Sequence, residues 1–309
     1  MSSFQSGVIA EASPAAIFLT FNQSHETSAV HTIRQVLSEV PDLLAEFRNR
    51  FPDADLHLVA AVGSCYWDNL YGARPAELVP FPTLENGPLL APSTPVDLLF
   101  HIRSSQPDLN FMLAHTLRTC LGSAVERVEE INCFRFMDAR DLTGFVDGTE
   151  NPQGDDRIDV AVVGDEDGEF AGGSYIHLQR YVHNLALWQQ QSLKTQEDTI
   201  GRTRDDNIEY ASEDKPLTAH TKRTSLKDEN GDSIEILRHS LPYGDSEQGG
   251  LMFASYCRSP KPFTLMLESM IQGDGEGHTD HLLRYTRAVT GQAFFAPSLA
   301  LLRLLGESR

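Results

Sequence analysis

Strand-like and helix-like apolar patterns alternate along this chain in an order that predicts an α+β fold of two βαββαβ units, with antiparallel sheets packed as a sandwich or barrel. Three observations carry that prediction. At 309 residues the chain exceeds the size at which one core usually stops growing, so two units of about 150 residues each are expected. The first half spells out β, α, β, β, α, β in sequence, which is the ferredoxin-like order. The second half repeats that order more loosely, as an internal duplication would.

In the first half, AAIFLTF from Ala15 is an apolar run of strand length, and DLHLVAAVG from Asp55 is another. Between them HETSAVHTIRQVLSEVPDLLAEFRNRF spaces its apolar residues as a helix does, with Pro41 expected to start a second helix or a kink. VDLLFHIRS from Val96 reads as the next strand. PDLNFMLAHTLRTCL then opens a helix with Pro107 at its first position, where the missing N–H costs nothing. VERVEEINCFRFMD alternates as a half-exposed strand, and Trp67 in CYWDNLYG belongs to the core of this unit. In the second half, GGSYIHLQRYVHN is a strand and LALWQQQS a helix. SIEILRHSL and GGLMFASYC are strands, and KPFTLMLESMIQG is a helix, with HTDHLLRYTRAVTG and SLALLRLLG as further helices. The polar segment from Gln191 to Asp232 has little apolar periodicity. Structureless stretches of that length are uncommon unless they serve a site, so it is expected to wrap a pocket with the help of short helical turns.

Composition excludes several classes of function. A net charge of −19 and a pI near 4.9 set up a field that repels phosphate backbones and anionic membranes, so no nucleic-acid or membrane partner is expected. The longest apolar runs fall well short of the roughly 18 residues of a membrane span. MSSFQSGVIAEASP has no lysine or arginine before its first apolar run, which predicts no secretory leader and a cytoplasmic protein. Cys65, Cys120, Cys133 and Cys257 form no CxxC pair, and buried, reduced thiols are expected. The acidic stretch GDDRIDVAVVGDEDGEF, Gly154 to Phe170, reads as a solvated loop around a short strand. Its GDEDGE lacks the spacing of a calcium-binding loop.

GFVDGTENP, from Gly144 to Pro152, holds Asp147 between two glycines and beside apolar Phe145 and Val146; taken alone it is an ordinary turn closed by Asn-Pro. Farther along come His220 in LTAHTKR and Arg238 in the strand-like ILRHSLPYG. With IGRTRDDN, GLMFASYC and TGQAFFAPS, these segments resemble the dye-decolorising peroxidases of the bacterial B-type branch, in the family's order from about Gly7 to about Ser298.

That resemblance implies a dimeric α+β barrel type of fold, with an N-terminal ferredoxin-like domain over 1–143 and a haem-binding one over 144–309 that includes the Asp147 loop. It implies one haem b per chain, not covalently attached since CxxCH is absent, with His220 as the metal ligand. The second ring nitrogen of His220 would donate to a carboxylate, best Asp280 in HTDHLLRYT, although Glu268 and Glu276 lie in the same region. Asp147 and Arg238 would manage peroxide on the other face of the iron, with Gly148 and Thr149 beside them. Arg202 in IGRTR would face a haem propionate, and Phe253 and Leu265 would be apolar walls. Ser240 departs from the asparagine frequent in relatives and removes an amide from the peroxide side. A rival reading makes His278, Asp280 and His281 a metal-binding knot on one helix face.

The implied partners are hydrogen peroxide and small aromatic, phenolic or dye donors, with acid pH preferred and the chain in a dimer or higher homo-oligomer. Bulky donors would be oxidised at the pocket edge or through Trp188, Tyr181, Tyr210, Tyr243 or Tyr285, which the sequence does not rank. Alternatives are a haem carrier or haem-iron release protein, and cargo of an encapsulin shell, the latter less favoured because LLRLLGESR lacks a flexible targeting tail. The net charge generates a kinetic expectation: at neutral pH, added salt raises the oxidation rate of an anionic dye and lowers that of a cationic one. Steady-state rates across a salt series check it, and equal responses of both dyes would refute steering.

Overall fold

The computed structural model describes residues 4–307. In the first unit, strands β1 (Ala15–Gln23), β2 (His57–Gly63), β3 (Leu98–Ser104) and β4 (Val125–Phe134) are crossed by helices α1 (Ala29–Arg50) and α2 (Pro107–Leu121). In the second, β5 (Ser174–His183), β6 (Leu241–Gly244), β7 (Gly249–Cys257) and β8 (Gln292–Ala296) are accompanied by α3 (His220–Thr224), α4 (Lys261–Ile271) and α5 (Leu299–Glu307). The spatial orders are β4-β1-β3-β2 and β8-β5-β7-β6, so each unit places its strands fourth, first, third, second, as the ferredoxin-like order requires. Pairing of β8 with β2 and of β4 with β6 joins the sheets edge to edge, and every pair is antiparallel. The sandwich-or-barrel alternative is thereby decided: these eight strands close into a barrel.

Closure leaves β1, β2 and β3 buried on both faces, while β4 keeps one face open to solvent. Ile17, Leu19 and Phe21 of β1 pack outward with α1 and α2, while Ala16 and Phe18 point into the barrel beside Ile176, Leu178 and Met252. That explains why AAIFLTF is continuously apolar although its pairing is antiparallel. An aromatic cluster ties the units together. Trp67, fully buried, stacks on Tyr71 with centroids 4.2 Å apart and meets Phe295 of β8 edge-on at 5.4 Å. Phe295 also meets Tyr175 of β5 at 4.9 Å.

The structure departs from the sequence expectations in several places. Pro41 neither starts a helix nor interrupts α1, which runs through it at the cost of the hydrogen bond its nitrogen cannot donate. HTDHLLRYTRAVTG is not a helix: His281–Arg284 form one 3-10 turn, and Thr286–Ala288 pair with β5. QAFFA, noted only as part of a motif, is β8, a run too short for its period to distinguish strand from helix. The acidic stretch contains a helix, Asp156–Ala161, and a 3-10 segment, Asp165–Phe170, instead of a strand. Cys133 and Cys257 are buried, but Cys65 and Cys120 are exposed. Among the described residues no helix is long and apolar enough to cross a membrane.

Because β2 and β8 pair only through Gly63–Phe294 and Val62–Phe295, packing of Phe295 carries much of that seam. Phe295→Ala should cost about 3–5 kcal/mol, the usual range for emptying a buried aromatic site. Urea unfolding measures it, and a loss below about 1 kcal/mol would show that the seam does not depend on this ring.

Candidate active site

A cavity of about 340 Å³ opens in the second unit beneath α4 and the long polar segment. Ile236, Phe253, Met266, Leu267, Met270 and Leu282 supply apolar wall, and Asp147, Arg238 and His220 all reach its surface. The size lies in the range of small-molecule and cofactor sites, and so does the mixture of apolar walls with a few convergent polar groups.

His220 opens α3, whose single turn lies within the polar segment. Its Nδ1 lies 2.6 Å from Oδ2 of Asp280, which is almost fully buried, and not beside Glu268 or Glu276. The other Asp280 oxygen accepts from Leu282 N at 2.9 Å, capping the 3-10 turn, while His281 N donates to Thr218 O at 3.0 Å and ties that turn to the His220 segment. Since a carboxylate only accepts, this network puts the proton on Nδ1 and leaves the Nε2 lone pair for a ligand. The rival knot does not form. His278 turns to Asp274 at 2.8 Å, Asp280 is taken by His220, and among the described residues no three such groups converge to hold a metal.

The loop that carries Asp147 owes its shape to Gly144 and Gly148, at φ of 90° and 80°, where a side chain would be strained. Arg140 Nη1 donates to Gly144 O at 2.8 Å and Asp147 N to Ala139 O at 3.0 Å, so the loop is fixed from below. One Asp147 oxygen accepts from Gly148 N at 2.7 Å and stands 3.6 Å from Arg238 Nη1. The pair is an ion pair without a direct hydrogen bond, and both side chains keep about a quarter of their surface (23% and 26%) open. Thr149 is exposed and accepts from Asn207 Nδ2 at 2.9 Å.

Asn151 is a neighbour of Arg238 that sequence reasoning missed, because Asn-Pro reads as a turn stop. Its Oδ1 accepts from Arg238 N at 3.0 Å and its Nδ2 donates to Arg238 O at 2.9 Å, so the amide acts as an extra strand residue against Leu237–Arg238. A second omission is His183 at the end of β5. It lies between Thr286 Oγ1 at 2.7 Å and Asp141 Oδ1 at 3.0 Å, and Asp141 in turn accepts from Thr143 N and Oγ1. Although burial opposes ionisation, the hydrogen bond from His183 leads the interactions that hold the Asp141 carboxyl below its ordinary range.

Other expected positions fall less simply. Phe253 lines the cavity, but Leu265 does not: the turn of α4 that points Met266 and Leu267 inward leaves Leu265 43% exposed. Ser240 lies outside this cavity, its Oγ 3.3 Å from Ala254 N, and borders a second one behind Arg238. Arg202 lines the cavity with its guanidinium already engaged by Asn207, Glu150 and Glu209. Among the aromatic residues, Tyr181 lines the cavity. Trp188 is buried edge-on to Tyr285 at 5.0 Å and to the cavity residue Phe145 at 6.0 Å.

The N-terminal model of the Dyp-type peroxidases matches residues 5–135 and the C-terminal model residues 138–301. A dye-decolorizing peroxidase of Mycobacterium tuberculosis is 42% identical over 298 residues, 96% of this chain and 88% of that protein. The crystal structure of a putative dyp-type peroxidase of Shewanella oneidensis is 50% identical, with a TM-score of 0.95 over 98% of this chain and 99% of that one. An arginine-to-leucine variant of Rhodococcus jostii DypB, solved in complex with heme, is 37% identical with a TM-score of 0.94 over 98% and 99% of the two chains. With both models covering their halves of the chain and identity of this extent along its length, this protein belongs to the Dyp-type peroxidase family.

Proposed function

We propose that the protein is a haem peroxidase that reduces hydrogen peroxide and oxidises phenolic or dye-type donors, with His220 as the iron ligand and Asp147 and Arg238 as the peroxide-handling pair. The observation that carries this reading is a histidine oriented through Nδ1 by a buried carboxylate in the same cavity as an arginine–aspartate pair. The donor set suits the cofactor. A carboxylate behind a histidine fixes its tautomer and raises its basicity toward a metal, and the apolar walls suit a flat macrocycle. Bound there, haem would supply the redox chemistry, the two-electron reduction of peroxide and the one-electron oxidation of donors.

The chain's own residues would move the proton and manage the charge. Asp147 takes the proton from one peroxide oxygen and returns it to the other, which leaves as water. Arg238 stabilises the negative charge that develops on the departing oxygen. Asn151 holds the backbone of Arg238, and the glycines hold Asp147, so neither group has to reorganise. Arg202 would serve a propionate by exchanging its contact with Glu150, whose side chain is largely exposed. Trp188 with Tyr285 offers donors a route from the protein surface toward Phe145 and the cavity. A haem carrier would need His220 but has no use for the Asp147–Arg238 pair, and that pair favours the peroxidase.

Two sets of variants test this. His220→Ala should lose stable haem while retaining its circular dichroism, and Asp280→Asn should bind haem roughly 10–100-fold more weakly; Soret absorbance titrations measure both, and a normal haem complement in His220→Ala would overturn the assignment. Asp147→Asn should slow peroxide consumption by about 10²–10⁴ and Arg238→Leu by about 10²–10³. In the double variant the losses should combine to much less than their product, since both act in one step. Stopped-flow rates decide it: a near-normal Asp147→Asn would reduce Asp147 to an organiser of water and leave Arg238 as the essential group.

A further inference from the structure

Behind the Asp147–Arg238 pair lies a second, smaller cavity of about 150 Å³, which shares Asp147, Gly148 and Arg238 with the first. Its charge runs against that of the protein. In a chain of net charge −19, five arginines (Arg103, Arg135, Arg140, Arg157 and Arg238) face this space, against two carboxylates, Glu11 and Asp147. Arg140 is neutralised by Asp138 at 2.7 Å and Arg157 by Glu11 at 2.7 Å, although Glu11 is 71% exposed.

Two of the five have no carboxylate partner among the described residues: Arg135, which is exposed, and Arg103. Arg103 is 1% exposed at the end of β3, and its guanidinium donates to His239 Nδ1 at 2.7 Å and to Gly7 O, both neutral acceptors. No carboxylate pairs with it among the described residues, and its Nε has no hydrogen-bond partner. Arg157 Nε and Ser13 Oγ, on two further residues of the same wall, are also buried without acceptors. A buried cation without a counter-charge costs several kcal/mol, and buried charges are ordinarily paired.

We propose that this second cavity binds a small monovalent anion, of the size of nitrate or formate, with Arg103, Arg157 and Arg238 supplying the positive charge. Because Arg238 belongs to both walls, an anion seated there shares its guanidinium with Asp147 and loosens the distal pair. Anion occupancy and peroxide reactivity are therefore coupled, and each saturates at the same anion concentration.

The test uses the haem-loaded protein and sodium nitrate, with sodium gluconate, too large for the cavity, holding ionic strength constant. The thermal unfolding midpoint should rise saturably with nitrate, by about 5 °C at a hundredfold excess over half-saturation. The rate of peroxide consumption should fall with the same half-saturation, and the Soret spectrum should not change. Arg157→Gln, at a residue bonded to Glu11 and Ala10 and not to the peroxide-handling pair, should shift half-saturation at least tenfold upward in both measurements, and Arg103→Met should abolish both where it folds. A wild-type response no different from gluconate would overturn the proposal. So would a Soret shift that tracks nitrate, which places the anion on the iron, or an unaltered response in Arg157→Gln.

Discussion

Burial of both faces of the same strands is the constraint on which this molecule rests. At the seams between units the backbone contributes little: two residue pairs join β2 to β8, and one pair, Cys133 with Tyr243, joins β4 to β6. What keeps the sheet closed is side-chain packing on either side of it. Ile17, Leu19 and Phe21 pack outside, Ala16 and Phe18 inside, and Phe295 bridges to Trp67 beside the seam between β2 and β8. A barrel held in this way is rigid along its strands and leaves its exposed ends to loops.

The groups proposed to be catalytic use that division. Asp147 comes from a loop and His220 from the first position of the single turn α3, and each is tied to a strand or capped turn: Asp147 through Asn151 to the strand Leu237–Arg238, and His220 through Asp280 to the turn that precedes the pairing of Thr286–Ala288 with β5. Both residues thereby gain the positional precision of the scaffold. The walls stay apolar because α4 presents Met266, Leu267 and Met270 on one face.

Much of this was readable in the sequence, and what was not has identifiable causes. The order of β1 to β4 with α1 and α2 was legible because apolar period and length agree for each element. β8 was not, since five residues of Gln-Ala-Phe-Phe-Ala fit either period, and the segment after Asp280 was misread because Leu282 and Leu283 suit a helix as well as one 3-10 turn. Motifs brought Asp147, His220 and Arg238 forward, and they do share a cavity, whereas Leu265 failed through helical phase, which residue type does not disclose. Asn151 was visible in its motif yet misjudged. Its two hydrogen bonds are to backbone atoms 87 positions away, a kind of partner that no local pattern signals. The second cavity was invisible for a similar reason, because Arg103, Arg157 and Arg238 come from separate elements.

The Asn151 amide has a mechanical consequence. By donating to and accepting from the same residue, it lets the Asp147 loop copy the hydrogen-bonding edge of a strand, so loop and strand translate and tilt as one body. A displacement of the strand that carries Arg238 is passed through these two hydrogen bonds to the loop that carries Asp147, so the carboxylate follows the guanidinium. The separation within the pair proposed to handle peroxide is in this way decoupled from the softness of the thin seams elsewhere in the molecule.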